Sequence, residues 1–120
     1  MRAKLKSLVP NDYPSFDQFI PDDDQNFGLW LSLDIGPADG DGAEVFQLLY
    51  CSPIWFQEHE LKGGLRSGEH TVFAKMYDRR ALLAFVERRI QACEGPNWHE
   101  IALKLSRLFH WEFDGYSPST

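Results

Sequence analysis

Cysteines and long apolar runs are what this sequence has least of. Its 120 residues include two cysteines, Cys51 and Cys93, which are too few for the disulfide framework of a small secreted domain. No apolar segment approaches the roughly 20 residues that cross a bilayer. Charges interrupt residues 1–6, where a secretory signal would need a continuous apolar stretch. We therefore expect a cytoplasmic protein with reduced thiols.

Apolar residues are nevertheless numerous enough for a folded core. The sequence is 43% hydrophobic and 14% aromatic, a composition that argues against a disordered or collagen-like chain. A chain of this length usually forms one domain and buries about two-thirds of the surface that its unfolded state exposes. We expect a single domain over residues 1–120.

Negative charge is concentrated in the first half of the chain. Residues 1–60 contain 11 acidic and 3 basic side chains, whereas residues 61–120 contain 7 and 9, for a net charge of −6. Such a field repels nucleic acid and anionic lipid and attracts basic partners, although a solvated acidic surface also serves solubility. We expect neither nucleic acid nor a membrane as a partner.

Hydrophobic periodicity predicts the secondary structure. Period-two alternation indicates strands over residues 2–9 and 27–35. A third strand is predicted over 44–51, which is apolar on both faces, and a fourth over 70–76, with a helical turn over 53–59. Asp78 and Asn97 are predicted N-caps of two helices, the first ending before Gly95 and the second reaching about His110. The predicted inner stripes are Leu82, Leu83, Val86, Ile90 and Cys93, then Trp98, Ile101, Ala102, Leu105, Leu108 and Phe109.

These elements predict an α+β fold. We expect an antiparallel sheet of about four strands, with the two C-terminal α-helices packed on one face. Residues 27–35 and 44–51 are joined by a loop rich in glycine and aspartate, which is typical of a hairpin. The other face of the sheet is expected to be open to water or to a partner.

Catalytic motifs are scarce. The four histidines form no HExxH motif, and the sequence has neither a CxxC pair nor a phosphate-binding glycine motif. His99 and His110 share a predicted helical face, but eleven residues separate them by about 16 Å, too far for one metal ion. A nucleophilic pair of Cys51 with a histidine stays open, although thiols in apolar segments are usually inert. We expect no catalytic residue, no metal and no cofactor.

Aromatic residues beside carboxylates favour a binding protein. Trp30 alternates onto the side of its strand opposite the apolar face, and Tyr116 lies near acidic residues at the end of the chain. Such rings serve either as anchors of an interface or as caps on the edge of the core. The candidate binding residues are Asp22, Asp23, Asp24, Asp39, Asp41, Glu44, Trp30, Trp55 and Tyr116.

Three stretches of the sequence carry a resemblance to a known family. They are residues 3–8 (AKLKSL), residues 51–56 (CSPIWF), and a longer stretch from Cys93 through 98–102 (WHEIA) and 105–107 (LSR) to 111–116 (WEFDGY). With these motifs the chain resembles the immunity protein 8 family of bacterial polymorphic toxin systems. In that family an acidic pair precedes the final tyrosine, and Gly115 takes the second acidic place here.

The resemblance implies a small cytoplasmic α+β protein that binds and neutralises a toxin domain made by the same bacterium. It implies no catalysis and no cofactor. The acidic clusters would complement the basic groove of a toxin that acts on nucleic acid. The alternative is a small cytoplasmic enzyme or ligand-binding domain, which a deep pocket holding a histidine and a carboxylate would favour.

Overall fold

The computed structural model describes residues 1–112 and shows one sheet with helices on both of its faces. The strands are β1 (Ala3–Pro10), β2 (Gly28–Pro37), β3 (Glu44–Cys51), β4 (Thr71–Phe73) and β5 (His110–Trp111). The helices are α1 (Pro53–Glu60), α2 (Arg79–Gln91) and α3 (Trp98–Leu105). The predicted α+β class is confirmed, with five strands instead of about four.

The sheet has the order β1-β2-β3-β4, and β5 pairs with β3 on the same side as β4. β1, β2 and β3 are antiparallel, and the predicted hairpin is confirmed by the pairing of Ile35 with Glu44. The expected antiparallel arrangement is confirmed for β1, β2, β3 and β5, whereas β4 runs parallel to β3. Parallel neighbours need a crossover connection, and residues 52–70, which contain α1, provide it.

The inner face of the sheet is covered by α2 and α3. The predicted stripes are confirmed at the residues that matter most for packing, each at most 3% exposed: Leu82, Val86, Ile90, Ile101, Leu105 and Phe109. They pack with the alternate residues Leu29, Leu31, Leu33 and Ile35 of β2. Leu83 is the exception, since its side chain is 40% exposed.

The N-caps are as predicted. The Asp78 side chain accepts a hydrogen bond from the backbone N–H of Ala81, and the Asn97 side chain accepts one from that of Glu100. These bonds satisfy donors that the first helical turn leaves unpaired. Within residues 1–112 no helix combines the length and the apolar composition needed to cross a membrane.

The last predicted helix is too long. α3 ends at Leu105, and after a turn the chain extends into β5 instead of continuing in a helix to His110. The extended backbone lets Trp111 pair with Phe46 of β3 and stack on it, with ring centroids 6.2 Å apart. Burial of this large ring against the sheet explains why the helix stops early.

A bulge changes the alternation of β1. The pattern predicts Ser7 on the same side as Ala3 and Leu5, but the register shifts between Leu5 and Ser7. Ser7 therefore lies on the other face, where its Oγ donates a hydrogen bond to Asp34 Oδ2 at 2.8 Å.

Truncation of Leu105 tests the helix–sheet core. Leu105→Ala removes a fully buried side chain and should lower the free energy of unfolding by about 2–5 kcal/mol, as measured by urea denaturation. Leu103→Ala is the matched control, because that leucine on the same helix is 41% exposed and should change stability by less than about 0.5 kcal/mol. Equal losses from the two variants would contradict the assignment of the core.

Candidate functional site

The sheet face opposite α2 and α3 is covered at one end by α1. Leu49, Cys51 and Phe56 form a second, smaller core there. Trp55 of α1 lies so close to Gly28 that a Cβ at that position would be 2.1 Å from the indole ring. Any larger residue than Gly28 would displace Trp55. This tryptophan, a candidate binding residue, is thus half-buried in the packing of α1 on the sheet.

The rest of this face carries no helix in the described chain, and we call it the exposed face. It consists of Ser7, Val9, Trp30, Ser32, Asp34, Val45, Gln47 and His110, which alternate with residues of the inner core. Trp30 is 38% exposed, as its alternation predicts. A large ring at this degree of exposure is available to a partner.

Hydrogen bonds between side chains organise the exposed face beside Trp30. Gln47 Nε2 donates to Ser32 Oγ at 3.1 Å, and Asn11 Nδ2 donates to Gln47 Oε1 at 3.0 Å. The Ser32 hydroxyl in turn donates to Asn11 Oδ1. Because these groups hold one another, the surface around Trp30 is ordered before any partner arrives, which lowers the entropic cost of binding.

A cleft of about 440 Å³ lies next to Trp30, and we call it the Trp30 cleft. It is lined by Trp30, Gln47, Arg66, Ser67, Glu69, His70 and His110. The Arg66 guanidinium lies 5.8 Å from the centroid of the Trp30 ring and 5.5 Å from that of Phe56, and it also pairs with Glu60. Two rings and a carboxylate thus hold this arginine against the face.

His70 is strained in its backbone and held by its side chain. Its φ of 54° makes it the one non-glycine residue within 1–112 that adopts a positive φ, and such strain is often kept at functional sites. Its Nε2 lies 2.9 Å from the carbonyl oxygen of Ser106. A carbonyl can only accept, so Nε2–H is the donor and Nδ1 is left for other contacts. The His110 ring lies 5.7 Å away.

The two acidic clusters lie at opposite ends of β2. Asp22, Asp23 and Asp24 are exposed where the chain enters the strand, and Asp39 and Asp41 are exposed where it leaves. At a rise of about 3.3 Å per residue, the ten-residue strand separates them by roughly 30 Å. The structure does not bring the clusters together, and Trp30 lies on the strand between them.

Two of the remaining candidates differ from the exposed acids. Glu44 is half-buried, and its carboxylate accepts a hydrogen bond of 2.6 Å from the indole N–H of Trp111. This carboxylate therefore helps to hold β5 in place. Tyr116 lies outside the described residues. Arg66 and His70 were not predicted as binding residues, because Arg66 belongs to a connection that has no periodic pattern and His70 is only the first residue of the strand predicted over 70–76.

Burial disfavours the thiolate form of both cysteines. Burial, the largest cause, raises the pKa of Cys51 to about 12. Burial also raises the pKa of Cys93. Both side chains therefore stay protonated near neutral pH, and the thiolate is the reactive form. Among residues 1–112 no three or more His, Cys, Asp or Glu side chains are grouped so as to hold a metal ion.

Comparison with known proteins identifies a family. The family model described as Immunity protein 8 matches residues 3–116 of the chain. No curated protein and no solved structure matches the chain. The match begins with β1 and extends beyond β5, so it includes both faces of the sheet and the Trp30 cleft.

Proposed function

The chain belongs to the immunity protein 8 family, and from that membership we propose that it binds and neutralises a cognate toxin domain in the cytoplasm of the bacterium that makes both. The match over residues 3–116 is the observation that carries this proposal. Inhibition by binding requires a complementary surface and no catalytic group. The protonated thiols agree with such a role, because they offer no nucleophile.

We propose the exposed face as the surface that meets the toxin, with Trp30 as its anchor. Buried aromatic side chains near the centre of an interface supply much of its binding energy. The surroundings of Trp30 support this role, since the ordered side chains of Ser32 and Gln47 lie on one side of it and Arg66 on another. A toxin side chain that packs on the ring would also fill part of the Trp30 cleft.

The acidic loops extend this surface at both ends. Asp22, Asp23 and Asp24 lie near α1, to which Asn26 is joined by a hydrogen bond to Glu58. Asp39 and Asp41 lie at the other end of β2. Carboxylates at both ends of β2 would complement a long basic groove, the feature that a nucleic-acid-directed toxin uses to bind its substrate. Charges at a rim act chiefly on the rate of association.

A second candidate function is the binding or conversion of a small ligand. The Trp30 cleft favours it, because the cleft holds His70, His110 and the carboxylate of Glu69. One ring nitrogen of His70 is occupied by the Ser106 carbonyl. A stable complex with the toxin domain distinguishes the two functions, since an enzyme that acts on a small ligand has no need to hold the toxin.

Co-expression with the toxin domain encoded by the neighbouring gene tests the proposed function. The chain should restore cell survival and form a stable complex with the domain. Trp30→Ala should weaken that complex by roughly 30-fold, about 2 kcal/mol, and reduce protection. Leu103→Ala is the control, because its leucine is similarly exposed but lies on the helical side.

Thermal unfolding would show that both variants are folded. Death of cells that produce the unaltered chain with the toxin would contradict the proposed function. If the Trp30→Ala variant binds the toxin domain as tightly as the unaltered chain does, Trp30 is not the anchor, and only that part of the proposal is contradicted.

Neutral substitutions in the acidic loops test electrostatic steering. Changing Asp22, Asp23 and Asp24 to Asn, and separately Asp39 and Asp41, should slow association with the toxin at low salt. The difference should shrink at high salt, because salt screens exposed charges beyond about 8 Å near physiological ionic strength. Stopped-flow measurements at both salt concentrations give the rates.

A matched variant removes three charges elsewhere. Changing Glu87, Glu100 and Glu112 to Gln alters the net charge as much as the first loop variant does, and it should leave the association rate almost unchanged. If all the variants slow association equally, net charge alone is responsible and the loops are not the docking surface.

A further inference from the structure

A groove of about 460 Å³ runs between β1 and α2, on the helical side of the sheet. Its apolar lining comes from Leu5 and Leu8 of β1, Phe16 of the following turn, and Leu83 of α2. Leu83 is 40% exposed although it adjoins the buried stripe of its helix. The groove is therefore an apolar surface that the described chain leaves accessible, and it adjoins the exposed face only at Ser7.

One wall of the groove is the edge of the sheet. Among residues 1–112, β1 pairs along its length with β2 alone, and its other edge carries a single bridge from Arg2 to Glu94. The backbone N–H of Asn11 bonds to the carbonyl of Trp30, and in an antiparallel pair the bonding groups of alternate residues point to alternate sides. Leu8 consequently directs its N–H and C=O away from β2, toward an incoming strand.

The rim of the groove is mainly cationic, although the whole chain is acidic. Arg79 and Arg80 line it, together with Lys6, whose ammonium donates hydrogen bonds to the carbonyl oxygens of Gly40 and Gly42, against one carboxylate, Glu87. Arg79 is partly neutralised by an ion pair of 2.6 Å with Asp17, whereas Arg80 is exposed. Lys4 adds another exposed cation on β1 itself.

We propose that this groove binds an extended, acidic peptide segment of a partner protein, which adds a strand to the free edge of β1. Side chains on one side of the segment would pack between Leu5, Leu8 and Leu83. The peptide side chains at the ends of the segment and on its other side would meet Lys4 and Arg80. These side chains should therefore be Asp or Glu. The proposal does not rest on the toxin-binding function.

The same residues disfavour a second copy of this chain as the occupant. Pairing β1 with β1 would place lysines opposite lysines, which is destabilising. The bulge between Leu5 and Ser7 and the ring of Pro10, which has no N–H, limit pairing to a short stretch. A short acidic strand satisfies these restrictions.

Titration with synthetic peptides tests the proposal. One probe is a blocked octapeptide that alternates Glu with Val, and the control peptide has Lys in place of each Glu. Amide chemical shifts of the isotope-labelled protein report binding. The acidic peptide should bind saturably and shift the Leu8 amide, whereas the basic peptide should cause no saturable shift.

Two matched variants locate the site. Leu83→Asp and Arg80→Glu should each weaken binding of the acidic peptide by at least about tenfold, and Leu103→Asp, at an equally exposed leucine of α3, should bind as the unaltered protein does. No saturable binding of the acidic peptide, or equal binding by the Leu83→Asp variant, would overturn the proposal. So would a dimer in sedimentation that Leu83→Asp dissociates, because a second copy would then occupy the groove.

Discussion

The central strand β3 is apolar on both faces, and both faces have to be covered. Phe46, Leu48 and Tyr50 pack into the core beneath α2 and α3, whereas Leu49 and Cys51 point the other way. Two helices on one face would leave the second set in water, at a cost of roughly 25 cal/mol for each Å² of apolar surface. α1 covers them, and the crossover that contains it returns the chain to pair β4 with β3 in parallel.

The same constraint determines which surface is left for a partner. α1 covers only the end of the sheet where β3 finishes, and the remaining part of that face holds Trp30, Val9 and Val45 among mainly polar residues. Arg66 and His70 reach this part because the connection after α1 runs beside it. The surface that we propose for binding the toxin is therefore the part of this sheet face that α1 leaves uncovered.

Local signals predicted much of this architecture. The alternation of β2, the stripes of α2 and α3, and the caps at Asp78 and Asn97 depend on neighbouring residues and were read correctly. The parallel direction of β4 and the early end of α3 depend on contacts distant in sequence, such as the stacking of Trp111 on Phe46. Periodicity carries no information on such contacts.

In the candidate site, too, some features could be predicted from local sequence and others depend on the fold. The exposure of Trp30 follows from alternation. The distance between the acidic clusters is known only once the length of β2 is known. The hydrogen bond between Glu44 and Trp111 is known only once the position of Trp111 is known. Arg66 comes from a segment without a pattern and His70 from the start of a predicted strand, so only the fold could show that both lie beside Trp30.

The surface that we propose to meet the toxin is the exposed face, and not the helical side. Hydroxyl-radical footprinting of the chain, alone and in complex with the toxin domain, measures the exposure of individual side chains. We expect Trp30 to become protected in the complex, while Leu83 and Leu103 on the helices react as before. Protection of the two leucines with an unchanged Trp30 would contradict this proposal.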